Sequence, residues 1–221
     1  LGEMLQNVRE NRPLVHCITN YVTANDCANL LLACGGSAIM ADEMEEAEEV
    51  TSLCGGLVLN LGTPNPRKVE AMLRAGREAN RMGRPVVFDP VGVGCSAFRR
   101  EASSRILEQV QLSVIRGNAS EIAALTGGEA GRCGVDADAS AASAEKSARL
   151  LAKKTGAVVV ASGATDLVTD GEALYCVHNG HPMMRTVTGT GCQLSALTGA
   201  YVAANPQNLL RAGLAGTCTM G

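Results

Sequence analysis

Residues 188–200 read Thr-Gly-Thr-Gly-Cys-Gln-Leu-Ser-Ala-Leu-Thr-Gly-Ala, a glycine turn followed by an apolar segment. Gly189 and Gly191 permit a tight backbone that leaves its N–H groups exposed. The apolar residues after them predict a helix, so the turn lies at a helix N-terminus, where anions are favoured. Cys192 lies in the first turn of that helix, where the pKa of a thiol is readily lowered. The segment indicates either a phosphate-binding turn that carries a base or a tight loop into a core helix with a buried cysteine.

The composition limits the class of protein. The chain has 221 residues, a formal net charge of −3 and a pI of about 5.7, which argues against nucleic acid or an anionic membrane as the main partner. No apolar run approaches the roughly 20 residues of a membrane span, and no secretory signal is recognised, so we expect a cytoplasmic protein. The nine cysteines include no C-x-x-C pair, which favours reduced thiols over a disulfide scaffold or a zinc site.

Short apolar runs alternate with helical patterns and predict buried strands at 14–18, 37–40, 57–61, 85–88, 112–115 and 157–161. Unbroken apolar strands separated by helices are typical of a parallel sheet covered on both faces. The pair Asp170-Gly171 predicts a hairpin between residues 167–169 and 173–177. Residues 183–187 are predicted as a further edge strand. The predicted fold is therefore α/β, a doubly wound, mostly parallel sheet with helices on both faces and antiparallel strands at one edge.

Polar residues at the carboxyl ends of these strands are the candidates for a site, because ligands bind there in such sheets. Asp89 is suited to Mg²⁺, although Asp-Pro is also a common start of a turn. Glu121 is predicted near the same metal, but residues 118–121 also fit a capping box, which is a structural role. Arg116 is placed to bind phosphate or to form a surface salt bridge.

Three further candidates have equally plain alternatives. Ser162 either belongs to a simple turn or presents its hydroxyl to a nucleotide phosphate. Met40 ends a strand, where methionine is more often a core residue than a ligand contact. A histidine paired with Cys192 would make a thiol hydrolase, but no spacing between them supports it, and His16 in the first strand is more often a core residue.

Four segments in this order resemble one family, the hydroxyethylthiazole kinases, along nearly the whole chain. They are VHCITN at 15–20, DPVGVG at 89–94, IRGNASE at 115–121 and TGTGC at 188–192. The resemblance implies a ribokinase-like fold and ATP- and Mg²⁺-dependent phosphorylation of the alcohol of 4-methyl-5-(2-hydroxyethyl)thiazole, in thiamine salvage. It also implies a homotrimer with sites at subunit interfaces and small molecules, rather than nucleic acid or membrane, as partners.

The resemblance assigns binding roles residue by residue. Met40 and Gly189 match thiazole-binding positions. Arg116 and Ser162 match ATP-binding positions, although threonine is commoner where this chain has Ser162. Either side chain supplies a hydroxyl, so the difference alters little.

The resemblance also implies the residues of the phosphoryl transfer itself. Asp89 and Glu121 match the acidic positions beside magnesium. The turn Gly189-Thr190-Gly191 matches the anion hole for the phosphates of ATP. Cys192 occupies the position at which broader ribokinase relatives carry an aspartate base, and it is either a base or a positioning group.

The family continues beyond the position that corresponds to Gly221, where residues 214–221 are predicted to be inside a helix. We therefore expect a single kinase domain at 1–221 that lacks the last C-terminal helices of the family. Three rival functions stay open: a kinase of the same fold acting on a hydroxymethylpyrimidine, a hydrolase with Cys192 as nucleophile, and a nucleotide-binding module without turnover. Dependence on ATP and on each alcohol separates them.

Overall fold

The computed structural model describes residues 1–127 and 141–221. The segment at 127–139 is rich in Gly, Asp and Ala, which predicts an exposed loop, and it lies outside the described residues except for its first position. The strands there are β1 (Leu14–Ile18), β2 (Ser37–Ile39), β3 (Gly56–Asn60), β4 (Val86–Asp89), β5 (Val114–Asn118), β6 (Val158–Ser162), β7 (Asp166–Thr169) and β8 (Leu174–Val177). They form one sheet in the order β2-β1-β3-β4-β5-β6-β7-β8. Neighbours from β2 to β6 are parallel, whereas β6, β7 and β8 pair antiparallel. The predicted fold class is confirmed.

Helices cover both faces of the sheet: α1 (Gly2–Asn11), α2 (Ala24–Cys34), α3 (Ala47–Leu53), α4 (Pro66–Arg81), α5 (Ala97–Gln109), α6 (Ala119–Leu125), α7 (Ala141–Thr155), α8 (Thr190–Ala204) and α9 (Leu209–Met220). Helices α3 to α7 contribute to one apolar core, and α1, α2, α8 and α9 contribute to the other. Alternate residues of a strand point to opposite faces, so Leu57 and Leu59 enter the first core and Val58 the second. In the described ranges, no helix is long and apolar enough to cross a membrane.

Helix α8 lies directly on β1, β3 and β4. Its residues 194–202 are buried. Gly199 marks a close approach, since a Cβ there would lie 2.5 Å from Cγ2 of Val58. A glycine inside this helix is therefore required by packing against the sheet, which outweighs its poor helix propensity. This packing places the N-terminus of α8 at the carboxyl ends of the strands.

The predicted edge strand at 183–187 is wrong. Residues Pro182–Thr186 form a 3₁₀ helix. Pro182 has a fixed φ and no N–H to donate to a neighbouring strand. His181 caps the turn, because its Nδ1 accepts a hydrogen bond from the backbone N–H of Met183 at 3.2 Å. Local turn chemistry thus outweighs the β-propensity of the segment.

Several element boundaries differ from those predicted. Strand β5 continues past its apolar run to Asn118, because it pairs with β6 through Arg116↔Val160 and Asn118↔Ser162. The acidic segment with apolar residues at Met44, Ala47 and Val50 predicts a helix from about Asp42, but α3 begins only at Ala47. Backbone pairing with a neighbouring strand can extend a strand over polar residues, which a prediction from the apolar run alone does not include in the strand.

Candidate active site

The carboxyl ends of five parallel strands meet the first turn of α8. The polar residues along this edge are Asn20, Asn60, Asp89, Arg116, Ser162 and Cys192. Hydrogen bonds join them in one chain that runs from Cys192 through the two asparagines to Asp89, Arg116 and Ser162. The structure therefore brings together four of the residues that the sequence singled out as candidates: Asp89, Arg116, Ser162 and Cys192.

Asp89, at the end of β4, is completely buried. Its Oδ2 accepts hydrogen bonds from Ser195 Oγ at 2.6 Å and Asn60 Nδ2 at 3.0 Å, and Nη1 of Arg116 lies 3.5 Å away. Its Oδ1 is buried and has no hydrogen-bond partner among the described residues. Burial raises the pKa of Asp89 to about 6, the charge of Glu121 acts in the same direction, and Arg116 and Ser195 oppose the shift. A buried acceptor without a donor is typical of a ligand or ion site.

Arg116 holds a positive charge beneath the N-terminus of α8. The residue is buried, and its Nη2 donates to Ser162 Oγ at 2.5 Å. A Cβ at Gly191 would lie 2.4 Å from Nη1 of Arg116, so a larger side chain there would displace the guanidinium. Since the positive end of the helix dipole and the guanidinium lie together, this corner attracts anions.

The glycine turn has a conformation that few residues adopt. Gly189 caps α8 with a φ of +79°, and a Cβ there would lie 2.0 Å from Cγ2 of Thr23. The first N–H groups of an α-helix have no acceptor within the helix. The turn at 189–191 therefore leaves its backbone donors available to a ligand.

Cys192 is only partly buried, and its Sγ accepts a hydrogen bond from Asn20 Nδ2 at 3.2 Å. The expectation of a lowered thiol pKa at this helix N-terminus is wrong. Burial raises the pKa of Cys192, and the nearby carboxylate of Asp89 raises it further. The asparagine amides and Arg116 oppose this shift. Desolvation and a like charge thus outweigh the favourable helix end.

Glu121 has the capping role that its sequence pattern allows. Its Oε2 accepts from the backbone N–H of Asn118 at 2.8 Å, and Asn118 Oδ1 accepts from the N–H of Glu121 at 2.9 Å. Its Oε1 accepts from the N–H of Gly92 at 2.8 Å and so fixes the loop after β4. Its charge also acts on Asp89. The structural role is observed, and the electrostatic reach to Asp89 is compatible with the predicted metal role.

Met40 stands apart from the other predicted residues. It directly follows β2, is 36% exposed and is therefore not a core residue. Three strands lie between β2 and β5, the strand of Arg116. At the usual spacing of about 4.8 Å between strands, Met40 lies roughly 19 Å from Arg116 along the sheet. Within one chain, the proposed thiazole and ATP positions do not all form one compact group.

The histidines do not support a thiol hydrolase. His16 is buried, bonded to Thr51 Oγ1 at 2.9 Å and to the carbonyl of Ala41 at 2.8 Å, and burial lowers its pKa. The side chains of His178 and His181 bond to Thr165 and to the backbone of Met183. Among the hydrogen bonds of the described residues, none joins Cys192 to a histidine.

Sequence reasoning did not assign a role to Asn60 or Ser195. Asn60 bonds both Asp89 and Asn20, and Ser195 makes the shortest hydrogen bond to Asp89. Both are polar residues inside otherwise apolar segments, β3 and the core face of α8. A buried polar residue requires a partner, so this interruption of the apolar pattern was the available signal.

Comparison with known proteins identifies the family of the chain. A family model described as "HK: Hydroxyethylthiazole kinase family" matches residues 5–221. Hydroxyethylthiazole kinase of Clostridium acetobutylicum is 50% identical, over 100% of this chain and 84% of that protein. The structure of a hydroxyethylthiazole kinase protein from Pyrococcus horikoshii is 42% identical, with a TM-score of 0.88 over 97% of this chain and 80% of that one. An ADP complex of Bacillus subtilis pyridoxal kinase, 15% identical with a TM-score of 0.65 over 91% and 88% of the two chains, shares the fold alone.

Proposed function

This chain belongs to the hydroxyethylthiazole kinase family and phosphorylates the alcohol of 4-methyl-5-(2-hydroxyethyl)thiazole with ATP in thiamine salvage, and we propose that the transfer takes place between Cys192 and Asp89. The observation that carries this placement is the buried Oδ1 of Asp89, which has no partner among the described residues and lies beside Arg116 and the start of α8. No other described carboxylate has a buried oxygen without a partner.

We propose that the turn Gly189-Thr190-Gly191 and Arg116 hold the phosphates of ATP. Backbone donors, a helix N-terminus and a guanidinium are the groups that recur at phosphate sites. Ser162 bonds the guanidinium and presents its hydroxyl at the same edge. Its hydroxyl orients Arg116 and is also available to a phosphate oxygen, as the resemblance to ATP-binding positions implies.

We propose Mg²⁺ as the metal that accompanies ATP, next to Asp89 and Glu121. The free Oδ1 of Asp89 supplies one carboxylate oxygen. Among the described residues, no cluster of three His, Cys, Asp or Glu side chains could hold a metal by itself. A site with few protein ligands suits Mg²⁺, which usually keeps several waters and binds substrate phosphates. When bound, the ion neutralises charge on the phosphates.

We propose that Cys192 orients the alcohol rather than acting as a thiolate. Its raised pKa keeps the thiol protonated at neutral pH. Phosphoryl transfer has a loose transition state in which the attacking oxygen forms little bond, so alignment and charge stabilisation contribute most. Asn20, which bonds both Cys192 and Asn60, holds the thiol in place. The alcohol oxygen then attacks the γ-phosphorus in line while the bond to the bridging oxygen breaks and ADP leaves, and the alcohol proton passes late to an oxygen of the transferred phosphoryl group.

We propose a homotrimer, in which a neighbouring copy completes the site near Met40. Exposed apolar residues lie beside the glycine turn and after β1: Tyr21, Val22 and Val187. An open groove adjoins them, lined by Asp26, Asn29, Leu30, Ala33, Val187 and Gln193. A second copy would cover this apolar surface, as interfaces of oligomers do. We propose the cytoplasm as the location of the protein, because seven of the cysteines in the described ranges are free thiols, which a reducing compartment favours.

An assay of ATP consumption with each candidate alcohol tests the function. We expect phosphorylation of hydroxyethylthiazole that requires ATP and a divalent cation. Turnover of a hydroxymethylpyrimidine in preference to the thiazole would favour the related kinase. Hydrolysis of an activated ester without ATP would favour a thiol enzyme, and ATP binding without turnover of either alcohol would indicate a binding module.

A further inference from the structure

Lys68 is a buried cation close to the carboxyl end of β1, on the side of the site proposed for the thiazole alcohol. It lies in the first turn of α4 and is only 1% exposed. Lysine is seldom buried completely, and a positive charge near a helix N-terminus opposes the helix dipole. The stability of α4 therefore does not explain a lysine at this position, and its contacts must.

The ammonium group of Lys68 contacts three groups from two other segments. Its Nζ donates to the carbonyl of Thr19 at 3.0 Å and forms an ion pair with Asp42 Oδ2, also at 3.0 Å. It also lies 3.9 Å from the centre of the Tyr21 ring, within the range of a cation–π interaction. The three contacts account for the three donors of an ammonium group.

The two segments that Lys68 joins carry the candidate substrate residues. Thr19 directly precedes Asn20, whose amide bonds Cys192. Asp42 lies two residues after Met40, and the strands β1 and β2 that precede these segments are neighbours in the sheet. Arg116 and Ser162 lie on β5 and β6, and no contact of Lys68 reaches them.

We propose that Lys68 is a positioning residue for the thiazole alcohol, which it serves by fixing the segments of Asn20 and Met40 relative to each other. The inference rests on the proposed function, with the alcohol beside Cys192 and the thiazole near Met40 and Gly189, the positions that the family resemblance assigns to it. The proposal predicts different effects on the two substrates: loss of Lys68 should disturb the binding of the thiazole alcohol and leave the binding of ATP unchanged.

Arg67, the neighbour of Lys68, provides a matched control. It forms ion pairs with Glu43 at 2.5 Å and Glu45 at 2.7 Å, in the same acidic segment as Asp42. Arg67 is 61% exposed, however, and exposed pairs contribute little. Arg67→Met removes one charge from the same helix turn and breaks pairs to the same segment without emptying a buried site.

The experiment compares Lys68→Met, Arg67→Met and wild type in steady-state kinetics with ATP and hydroxyethylthiazole varied in turn. Lys68→Met should raise KM for the thiazole about tenfold and leave KM for ATP within about twofold, because a small displacement of positioning groups weakens the binding of the group they orient. Arg67→Met should change neither constant. Phosphorylation by the wild type serves as the separate test of the proposed function.

Equal shifts in both KM values, or no shift in either, would overturn the proposal even if the wild type is an active kinase. If Lys68→Met does not fold, Asp42→Asn provides a second test, since Asp42 is 37% exposed and its loss empties no core. Asp42→Asn should raise KM for the thiazole alone, by less than Lys68→Met is expected to. An unchanged thiazole KM in Asp42→Asn would then count decisively against the role of Lys68.

Discussion

Cys192 combines a helix N-terminus, which favours a thiolate, with burial and a nearby carboxylate, which oppose it. Burial and the carboxylate have the larger effect, so the pKa of the thiol is raised. The side chain nonetheless occupies a fixed place, since Asn20 donates to its sulfur. At the scale of one residue, the arrangement favours a group that orients an alcohol over one that ionises.

Replacement of Cys192 separates a kinase from a thiol hydrolase. Cys192→Asp should retain ATP-dependent phosphorylation, because a carboxylate can accept both the asparagine hydrogen bond and the proton of the alcohol. Cys192→Ala should lower kcat about 10²-fold, because the alcohol loses the group that aligns it with the γ-phosphorus. Cys176→Ala, at an exposed free thiol, is the control and should keep full activity. A folded but inactive Cys192→Asp variant that still binds both substrates would contradict the proposed role of Cys192 in phosphoryl transfer.

Asp89 is expected to reduce stability at neutral pH while it supports turnover. Its pKa rises on folding from 3.8 to about 6, mainly because of burial. The folded state therefore binds the proton more readily than the unfolded chain, so the contribution to stability is fully present below about pH 4 and lost as pH rises through about 6. Asp89→Asn removes this dependence but keeps the shape of the side chain.

For Asp89→Asn we expect turnover to fall at least about 10²-fold, since a carboxylate beside the phosphates is lost. The melting temperature of the wild type relative to the variant should decline between about pH 4 and pH 6.5. Scanning calorimetry across this pH range measures the change in melting temperature, and Glu48→Gln is the control at an exposed carboxylate. Kinase activity of Asp89→Asn within a few-fold of the wild type would contradict the metal role.

At the scale of the element, the start of α8 depends on the backbone of Gly189. Its φ of +79° is unfavourable for any residue that has a Cβ, and the methyl group of Thr23 occupies the space that a Cβ would need. The same contact holds the turn against α2, because Thr23 precedes that helix. The geometry of the anion hole is therefore set by packing between two helices.

Gly189→Ala should cost about 1–3 kcal/mol of stability through backbone strain, with a further cost from the clash with Thr23. It should also raise KM for ATP. Gly83→Ala is the matched control, since Gly83 has a φ of +64° but no atom within 4 Å of an added Cβ. Adding Thr23→Ser to Gly189→Ala removes the clashing methyl group and should restore part of the stability, as chemical denaturation would measure. Equal costs for the two glycines would show that the contact with Thr23 is unimportant.

At the scale of the whole molecule, Tyr21, Val22 and Val187 are exposed apolar residues beside the site that a single copy leaves uncovered. Tyr21 and Val22 follow β1 and Val187 precedes the glycine turn, whereas the far edge of the sheet ends in the hairpin of β7 and β8. A trimer built through the α2 groove would cover them.

Ala33→Glu, which places a charge in the α2 groove, should convert the proposed trimer into monomers and reduce turnover. Desolvating a charge in an apolar interface is unfavourable, which is the physical reason. Ala142→Glu makes the same substitution on exposed α7 and should leave the assembly unchanged. Light scattering at several concentrations measures the state. A monomeric wild type with full activity would refute the proposed assembly.

The sequence by itself determined the class of the fold and most of its elements. Apolar runs such as those of β1 and β3 predict buried parallel strands, because only a sheet covered on both faces has no polar side. Local chemistry explains the turn at Asp170-Gly171 and the start of α4 at Asn65 and Pro66, because each depends only on residues close together in the sequence. The motifs also placed Asp89, Arg116, Ser162 and Cys192 at strand or helix ends.

Only the tertiary structure decided what these residues do to one another. The raised pKa of Cys192 arises from burial and from Asp89, which is 103 positions away in the sequence. Asn60 and Ser195 join the site because β3 and α8 pack beside β4, and Lys68 is buried because two loops close over α4. Such effects depend on distances between residues remote in sequence, which no local pattern encodes. Propensity and spacing fix the elements, and packing fixes their electrostatics.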